Sequence, residues 1–376
     1  MPLPPLPNIL VIGATGVTGA ELLRCLESRG LAHGMLRLAG SPTRPGEAPR
    51  PTRTVSYCGT DVPVEPMEAR CLDDIDIVFL CAGGDISRQW APVAKAQGAI
   101  VIDFSSAFRL DPAVALVVPE INAESLPHPA ALAESGAGTI IANPNCSTII
   151  ALMAVAPIDR LTRVRRMTAC TYQAASGGGR AMMEMLEEQA RAWARDGDDA
   201  SAPGRPYHFN LFSHDTPIGP HGANEEERKF VNESRRILGR DDLAVCITCI
   251  RVPVLRAHSI ALHLELTDPV RPSEVRAALA DAPGVAVVDD PEAGRFPEPR
   301  DASGGDDVLA GRIRGEPDAA LAPGLTTTTN GDAPTRYIAL FVSGDQLRKG
   351  ASLNAVQIVE QMLVQAGFTA PAGHMA

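Results

Sequence analysis

The sequence predicts an α/β protein, in which a doubly wound parallel-sheet domain is followed by an α+β domain with one open sheet face. Three observations carry that prediction. Short, near-continuous apolar runs alternate with helical segments through the first third of the chain, a glycine-rich turn follows the first run, and after residue 146 the strand candidates alternate apolar and polar residues. At 376 residues the chain is long enough for two domains, and 45% hydrophobic with 21% charged residues is ordinary for a globular protein. A formal net charge of −11 excludes a nucleic-acid surface, which needs a surplus of Lys and Arg, and the small cluster Arg163, Arg165, Arg166 reads as a solvated turn.

"NILVIG" (8–13) reads as the first strand, followed by a helix from about Gly19 to Arg29 that Gly30 stops. "MLRLAG" (35–40), "DIVFLCAGG" (76–84) and "AIVIDFSS" (99–106) read as further strands, with a helix near 87–97. Beyond residue 146, "SIALHLEL" (259–266) has the period of two of a half-exposed strand, with further candidates at 164–172, 285–288, 308–314 and 337–342. Segments 190–206 and 320–335, rich in Gly, Pro and small polar residues, are predicted loops. "ASLNAVQIVEQMLVQAG" (351–367) has helical periodicity, ends at Gly367, and is expected to pack back on the first domain. No repeat is visible. The start "MPLPPLPN" lacks the pattern of a secretion signal and no apolar run reaches membrane-span length, so a cytoplasmic protein with reduced thiols is expected. Cys246 and Cys249 form a lone C-x-x-C within a strand-like run, which reads as packing; no metal site is expected.

Gly13, Gly16 and Gly19 stand directly after a strand and at the mouth of a helix, with Thr15 and Val17 between them. Glycines there let the backbone turn tightly and approach a pyrophosphate, which rests on the helix N-terminus; this is the dinucleotide-binding turn of a Rossmann-type domain. The second strand ends "RLAGSPTRPG", with no acidic residue to hold a ribose 2′-hydroxyl. Ser41, Thr43 and Arg44 are available instead, and an arginine there accommodates a 2′-phosphate, so NADP is predicted over NAD. Arg44 also fits a plain solvated loop.

In "TIIANPNCSTIIALM" (139–153), six small or polar residues separate a β-branched run from a helical apolar one, which puts Cys146 where a strand hands over to a helix. Unpaired N–H groups and the helix dipole favour a thiolate there. The competing reading is a small buried hydrophobe, with Asn145 or Ser147 serving only as caps.

A nicotinamide cofactor and an activated cysteine on one chain point to hydride transfer through a thioester. "GATGVTG", "DFSSAFR" (103–109), "ANPNCST" (142–148), "TYQAASGGG" (171–179), "RVPVLRAHS" (251–259) and "LRKGASLNAVQI" (347–358) together resemble the aspartate-semialdehyde dehydrogenase family, in order and at similar spacing from about residue 8 to 368. The resemblance implies that Cys146 is the nucleophile, that His258 is the acid/base that takes the thiol proton and later serves the hemithioacetal oxygen, and that Gln173 positions the acyl group. It also implies that Arg251 grips the substrate carboxylate, Arg109 and Lys229 bind phosphate, and Glu227 pairs with the substrate amino group. Ala82, Gly83, Gly84 and Asn354 match cofactor contacts. Two readings compete here. Asn224 to Glu227 is also a helix capping box, and His258 could be a core histidine. Arg251 and His258 are seven apart, so Pro253 must break the strand if they are to share a site.

Phe104 and Gln346 stand where asparagine is expected from the resemblance, and the Thr-rich loop at 325–329 is longer than expected. The implied domains are 1–145 with 351–376 for NADP binding, and 146–350 for catalysis and dimerisation, in a family that is usually dimeric. The implied reaction is the reversible conversion of L-aspartate 4-semialdehyde and phosphate to L-4-aspartyl phosphate, which feeds lysine or diaminopimelate, threonine and methionine synthesis. N-acetyl-glutamyl-phosphate reductase shares the fold and chemistry, but its cysteine is flanked by glycine and tyrosine, not by Asn145 and Ser147. A catalytically silent NADP-binding regulator would have no reason to keep Cys146, Gln173, Arg251 and His258 together.

Overall fold

In the computed structural model, residues 3–40, 53–197, 204–315 and 331–368 are described. The chain forms two compact units, Met1–Pro144 with Ala351–Ala376, and Asn145–Gly350. In the first unit eight strands, β1 (Ile9–Ile12), β2 (Leu36–Gly40), β3 (Arg53–Tyr57), β4 (Thr60–Pro66), β5 (Ile77–Leu80), β6 (Ile100–Asp103), β7 (Ala115–Leu116) and β8 (Thr139–Ala142), lie in the order β3-β4-β2-β1-β5-β6-β8-β7. All pairings are parallel except the β3–β4 hairpin. β1, β5 and β6 are buried at every position, which is why their sequences are unbroken apolar runs. The winding direction reverses between β1 and β5, and the crevice at the carboxyl ends of such a pair is where this architecture binds ligands.

The helix Val17–Ser28 buries Leu22, Leu23, Cys25 and Leu26. The C-terminal helix Leu353–Gln365 joins the same core through Leu353, Val356, Ile358, Val359 and Met362. Arg29 donates from Nε and Nη2 to the two carboxylate oxygens of the fully buried Glu360, at 2.5 and 2.8 Å, which ties the end of one helix to the other.

The second unit holds β9 (Val164–Gln173), β10 (Phe212–Ser213), β11 (Ala244–Arg251), β12 (His258–Val270), β13 (Val285–Val287), β14 (Val308–Gly315) and β15 (Thr335–Gly344), in the order β10-β11-β9-β12-β15-β14-β13. β12 runs antiparallel to β9 and β15, and β11 parallel to β9. Ile260, Leu262, Leu264 and Leu266 are buried, while of the residues between them Ala261 and Glu265 are half-buried and His263 is exposed, in keeping with the alternation in sequence. The helix Cys146–Leu161, apolar nearly all round, packs on this sheet. On the opposite face, small residues Ser259 and Ala261 of β12 pair with Tyr172 and Phe341, whose rings lie 6.1 Å apart. Cys249 is buried and Cys246 exposed, as residues three apart on a strand must differ.

Three sequence expectations change. The predicted loop 190–206 is wrong at its start: a helix runs from Arg180 to Asp196 and ends on Gly197 in the left-handed region (φ 71°), because the amphipathic pattern of Leu186, Gln189 and Ala192 carries on past residue 190. The first helix begins at Val17, inside the glycine motif, rather than at Gly19. Of the predicted loop 320–335, only 331–334 are irregular residues within the described range, and Thr335 already begins β15; the Thr-rich stretch 325–329 lies outside the described residues. Among the described residues, no helix is long and apolar enough to cross a membrane.

Candidate active site

Cys146 is the first residue of a 16-residue helix and is partly exposed. Asn145 caps that helix, its Oδ1 accepting from Thr148 N at 3.2 Å. The cap is itself gripped by two carboxylates: Asn145 N donates to Glu233 Oε2 at 2.6 Å, and Asn145 Nδ2 donates to Glu226 Oε1 at 2.8 Å. Gln173, at the end of β9, donates to Ser147 Oγ at 2.9 Å and to Glu226 Oε1 at 3.1 Å. Asn145, before the sulfur, is thus held by charge-assisted bonds and Ser147, after it, by the neutral Gln173 amide, while the helix dipole favours a negative charge at its start.

Arg251 ends β11 and His258 begins β12, and the turn between them brings both to one place. A Cβ built on Gly177 would lie 2.9 Å from Arg251 Nη1 and from His258 Cε1, and 3.0 Å from His258 Nε2. The strand break expected at Pro253 is therefore present, and it is completed by Ala257, whose φ of +71° is rare for a residue with a side chain. Ala174 holds both neighbours, its carbonyl accepting from Arg251 Nη1 at 3.3 Å and its N–H donating to His258 Nδ1 at 3.0 Å. His258 is fully buried, and its Nε2 has no hydrogen-bond partner among the described residues. Burial first, then the Arg251 charge and His214, hold its pKa well below the ordinary histidine value.

The structure gives the neighbouring glutamates of this helix different surroundings. Glu227 is consumed by the capping box, its Oε2 accepting from Asn224 N at 2.9 Å and its Oε1 from Cys249 N at 3.1 Å. Glu226, one position and about 100° round the helix, is the buried carboxylate that touches Asn145 and Gln173. Burial alone would raise its pKa, but His214, Asn145, Lys229 and Gln173 outweigh that and hold it below the usual range. His214 in turn is pushed down by burial and by the Arg251 charge, against the opposing pull of Glu226 and Asp215. Lys229 Nζ pairs with Glu225 at 2.8 Å and lies 3.9 Å from Glu226. Sequence reasoning also missed Glu233, His214 and Gly177. The signal for Glu226 and Glu233 was helical spacing, since both lie on the face that buries Phe230 and Ile237.

In the first unit, Gly13 has φ +92°, and a Cβ there would sit 2.8 Å from Cys81 O. A Cβ on Gly19 would collide with the backbone of Gly13 and Ala14. Gly16, flanked by Thr15 and Val17, precedes the helix and offers its first-turn N–H groups no side-chain cap, which is what a helix start that takes an anion requires. Ala82 and Gly83 are exposed after β5, and Gly83 (φ +89°) leads into the helix Gly84–Ala96. The cradle after β1 and the turn after β5 thus flank the reversal point, and they fit a dinucleotide. Arg109 is buried, with Nε donating to Asn143 O at 2.9 Å and Nη2 to Phe104 O at 2.8 Å. Asn354 is fully buried, and its Nδ2 donates to Val117 O and Asn143 Oδ1 at 3.0 and 2.8 Å, which fixes the Asn143 side chain. Ser41 and Arg44 lie outside the described residues.

Two family models match the chain: "Semialdehyde dehydrogenase, NAD binding domain" over residues 8–128, and "Semialdehyde dehydrogenase, dimerisation domain" over 155–349. The aspartate-semialdehyde dehydrogenase of Synechocystis sp. is 41% identical over 363 residues, covering 96% of this chain and 98% of the relative. That of Prochlorococcus marinus is 37% identical over 360 residues, covering 95% and 96%. Among solved structures, aspartate semialdehyde dehydrogenase II of Vibrio cholerae, complexed with ASA, superposes with a TM-score of 0.81 at 32% identity, covering 96% of this chain and 98% of that one.

Proposed function

This chain belongs to the aspartate-semialdehyde dehydrogenase family, and from that premise we propose that it catalyses the reversible, NADP-dependent, phosphorylating oxidation of L-aspartate 4-semialdehyde to L-4-aspartyl phosphate. The observation that carries this reading is the seating of Cys146 at a helix start whose neighbours Asn145 and Ser147 are tied to Glu226 and Gln173. Cys146 is the nucleophile that forms a thioester with the acyl group, and Gln173 orients that group. Arg251 clamps the substrate carboxylate, and Glu226, not Glu227, takes the amino group. Lys229 and Arg109 bind phosphate. The cofactor rests on the loop Gly13–Gly19 and against Ala82 to Gly84, with Ser41 and Arg44 at the 2′-phosphate, and supplies the hydride. A homodimer forms through the open face of the β9–β15 sheet, where Tyr172 and Phe341 lie, and the protein works as a cytoplasmic biosynthetic enzyme.

The purified protein should reduce NADP⁺ with L-aspartate 4-semialdehyde only when phosphate is present, and far more slowly with NAD⁺ or with N-acetyl-glutamate semialdehyde. Phosphate-independent reduction, or a preference for the acetylated aldehyde, would overturn the assignment.

The two glutamates separate in a second test. Glu226→Gln should raise the KM for the semialdehyde about tenfold or more, since a hydrogen bond to a charged group is worth about 1.5–3 kcal/mol. Glu227→Gln should leave KM nearly unchanged and cost about 1 kcal/mol of stability through the cap. The opposite pattern in steady-state kinetics and thermal melts would return the role to Glu227.

A further inference from the structure

Asn145, the residue before the proposed nucleophile, has every polar group engaged. Its carbonyl accepts from Ile149 N at 2.9 Å and its Oδ1 from Thr148 N at 3.2 Å, which closes the first turn of the helix Cys146–Leu161. Its two donating groups turn to a second helix, Glu225–Leu238: Nδ2 donates to Glu226 Oε1 at 2.8 Å, and the backbone N–H to Glu233 Oε2 at 2.6 Å. Seven residues, or about 10 Å of helix axis, separate Glu226 from Glu233 on one face, so the two side chains converge on a single asparagine. Both are buried.

The two carboxylates have different duties. Glu226 Oε1 also accepts from Gln173 Nε2 at 3.1 Å, and its Oε2 lies 3.9 Å from Lys229 Nζ. In the function proposed above the same carboxylate receives the substrate ammonium, which competes with the Asn145 and Gln173 amides for its lone pairs. The side-chain anchor of Asn145 is therefore loosened at the stage when Cys146 must be held most firmly. The Glu233 anchor is spent on the backbone N–H and persists. At 2.6 Å it is shorter than an ordinary N–H···O bond of about 2.9–3.0 Å, as a donor facing a carboxylate should be. A buried peptide N–H needs an acceptor, but a neutral one would satisfy it, and an acidic side chain with 1% exposure is unfavourable to bury for that purpose alone.

We propose that Glu233 is a positioning residue of the reaction: by fixing the Asn145 peptide it keeps the Cys146 sulfur in line with the aldehyde carbon while Glu226 is engaged by the substrate. The inference rests on the thioester reading given above. In the oxidative half-reaction the sulfur, its proton released, bonds to the aldehyde carbon, and the carbonyl pair moves onto oxygen. That pair returns as the C–H bond breaks, and hydride passes to NADP⁺, leaving a thioester and NADPH. Glu233 takes no part in these transfers. Its contribution is the register of the sulfur, where a misplacement of about 1 Å can cost about 100-fold in rate.

The test is a single turnover with L-aspartate 4-semialdehyde and NADP⁺ in the absence of phosphate, followed by NADPH absorbance in wild type, Glu233→Gln and Glu233→Met, each with a thermal melt. The amplitude counts competent chains, and the rate reads the chemistry. Glutamine keeps the length and an acceptor without the charge, while methionine keeps only the length. The expected result is an amplitude near one NADPH per chain in all three, with the rate lowered about tenfold by glutamine and about 100-fold by methionine. In steady state with phosphate, Glu233→Gln should lower kcat and leave the KM for the semialdehyde within about twofold, the reverse of the pattern expected of Glu226→Gln. Loss of amplitude at an unchanged rate would make Glu233 a purely structural residue and overturn the proposal, as would a Glu233→Gln chain that does not fold. A raised KM with kcat intact would overturn it too. Should methionine not fold, glutamine alone decides. A wild type with no burst of NADPH defeats the proposed function and this inference with it; a wild-type burst whose rate Glu233→Gln leaves within about twofold defeats this inference alone.

Discussion

Cys146→Ala is expected to lower kcat on the order of 10⁴-fold or more, the scale seen when a covalent nucleophile is removed. NADPH affinity should change less than about twofold, because the cradle of Gly13, Gly16 and Gly19 is built within the unit Met1–Pro144 with Ala351–Ala376. The fold should tolerate the change, since alanine suits the first turn of a helix and the Asn145 cap stays in place. Cofactor titration by fluorescence and a thermal melt separate these effects. Activity near wild type in a folded variant would remove Cys146 from the mechanism.

Gly177→Ala should be the next most damaging substitution, although it adds only a methyl group. The new carbon would lie 2.9 Å from Arg251 Nη1 and from His258 Cε1. Neither neighbour is free to retreat. Arg251 is bonded to Ala174 O and to Asp215 Oδ1, and His258 Nδ1 accepts from Ala174 N. A displacement of about 1 Å at reacting groups can cost about 100-fold in rate, so kcat/KM should fall by roughly that factor. Both parameters should move, KM through the carboxylate clamp and kcat through the imidazole, while overpacking costs about 1–3 kcal/mol of stability. Kinetics within about threefold of wild type would mean that the loops relax around the methyl group and that this cluster is not where catalysis is positioned.

What could be read in the sequence was whatever depends on local periodicity or on a backbone requirement. β1, β5 and β6 were legible because a strand buried on both faces leaves no polar position. The glycine turn was legible because only glycine fits a φ of +92° against Cys81 O, and Cys146 because a strand must give way to a helix there. The meeting of Arg251 and His258 needed only the recognition that Pro253 ends a strand. Facts set by tertiary direction were hidden. Glu225, Glu226 and Glu227 are chemically alike, and only the rotation of their helix decides which carboxylate meets Asn145. The bonds from the Asn354 amide to Val117 and Asn143 were hidden too, because those partners lie far away in sequence. The last turns of the helix Arg180–Asp196 were read as loop because the glycine and aspartates just beyond them colour the whole stretch 190–206.

The central claim is that a thioester forms on Cys146, and the most direct measurement is to mix the enzyme with L-aspartate 4-semialdehyde and NADP⁺ in the absence of phosphate, quench in acid and weigh the protein. One aspartyl group should be found per chain, on the peptide containing Cys146, and it should disappear when phosphate is added before the quench. No adduct under conditions that support turnover with phosphate, or an adduct on any of the other seven cysteines, would contradict the account.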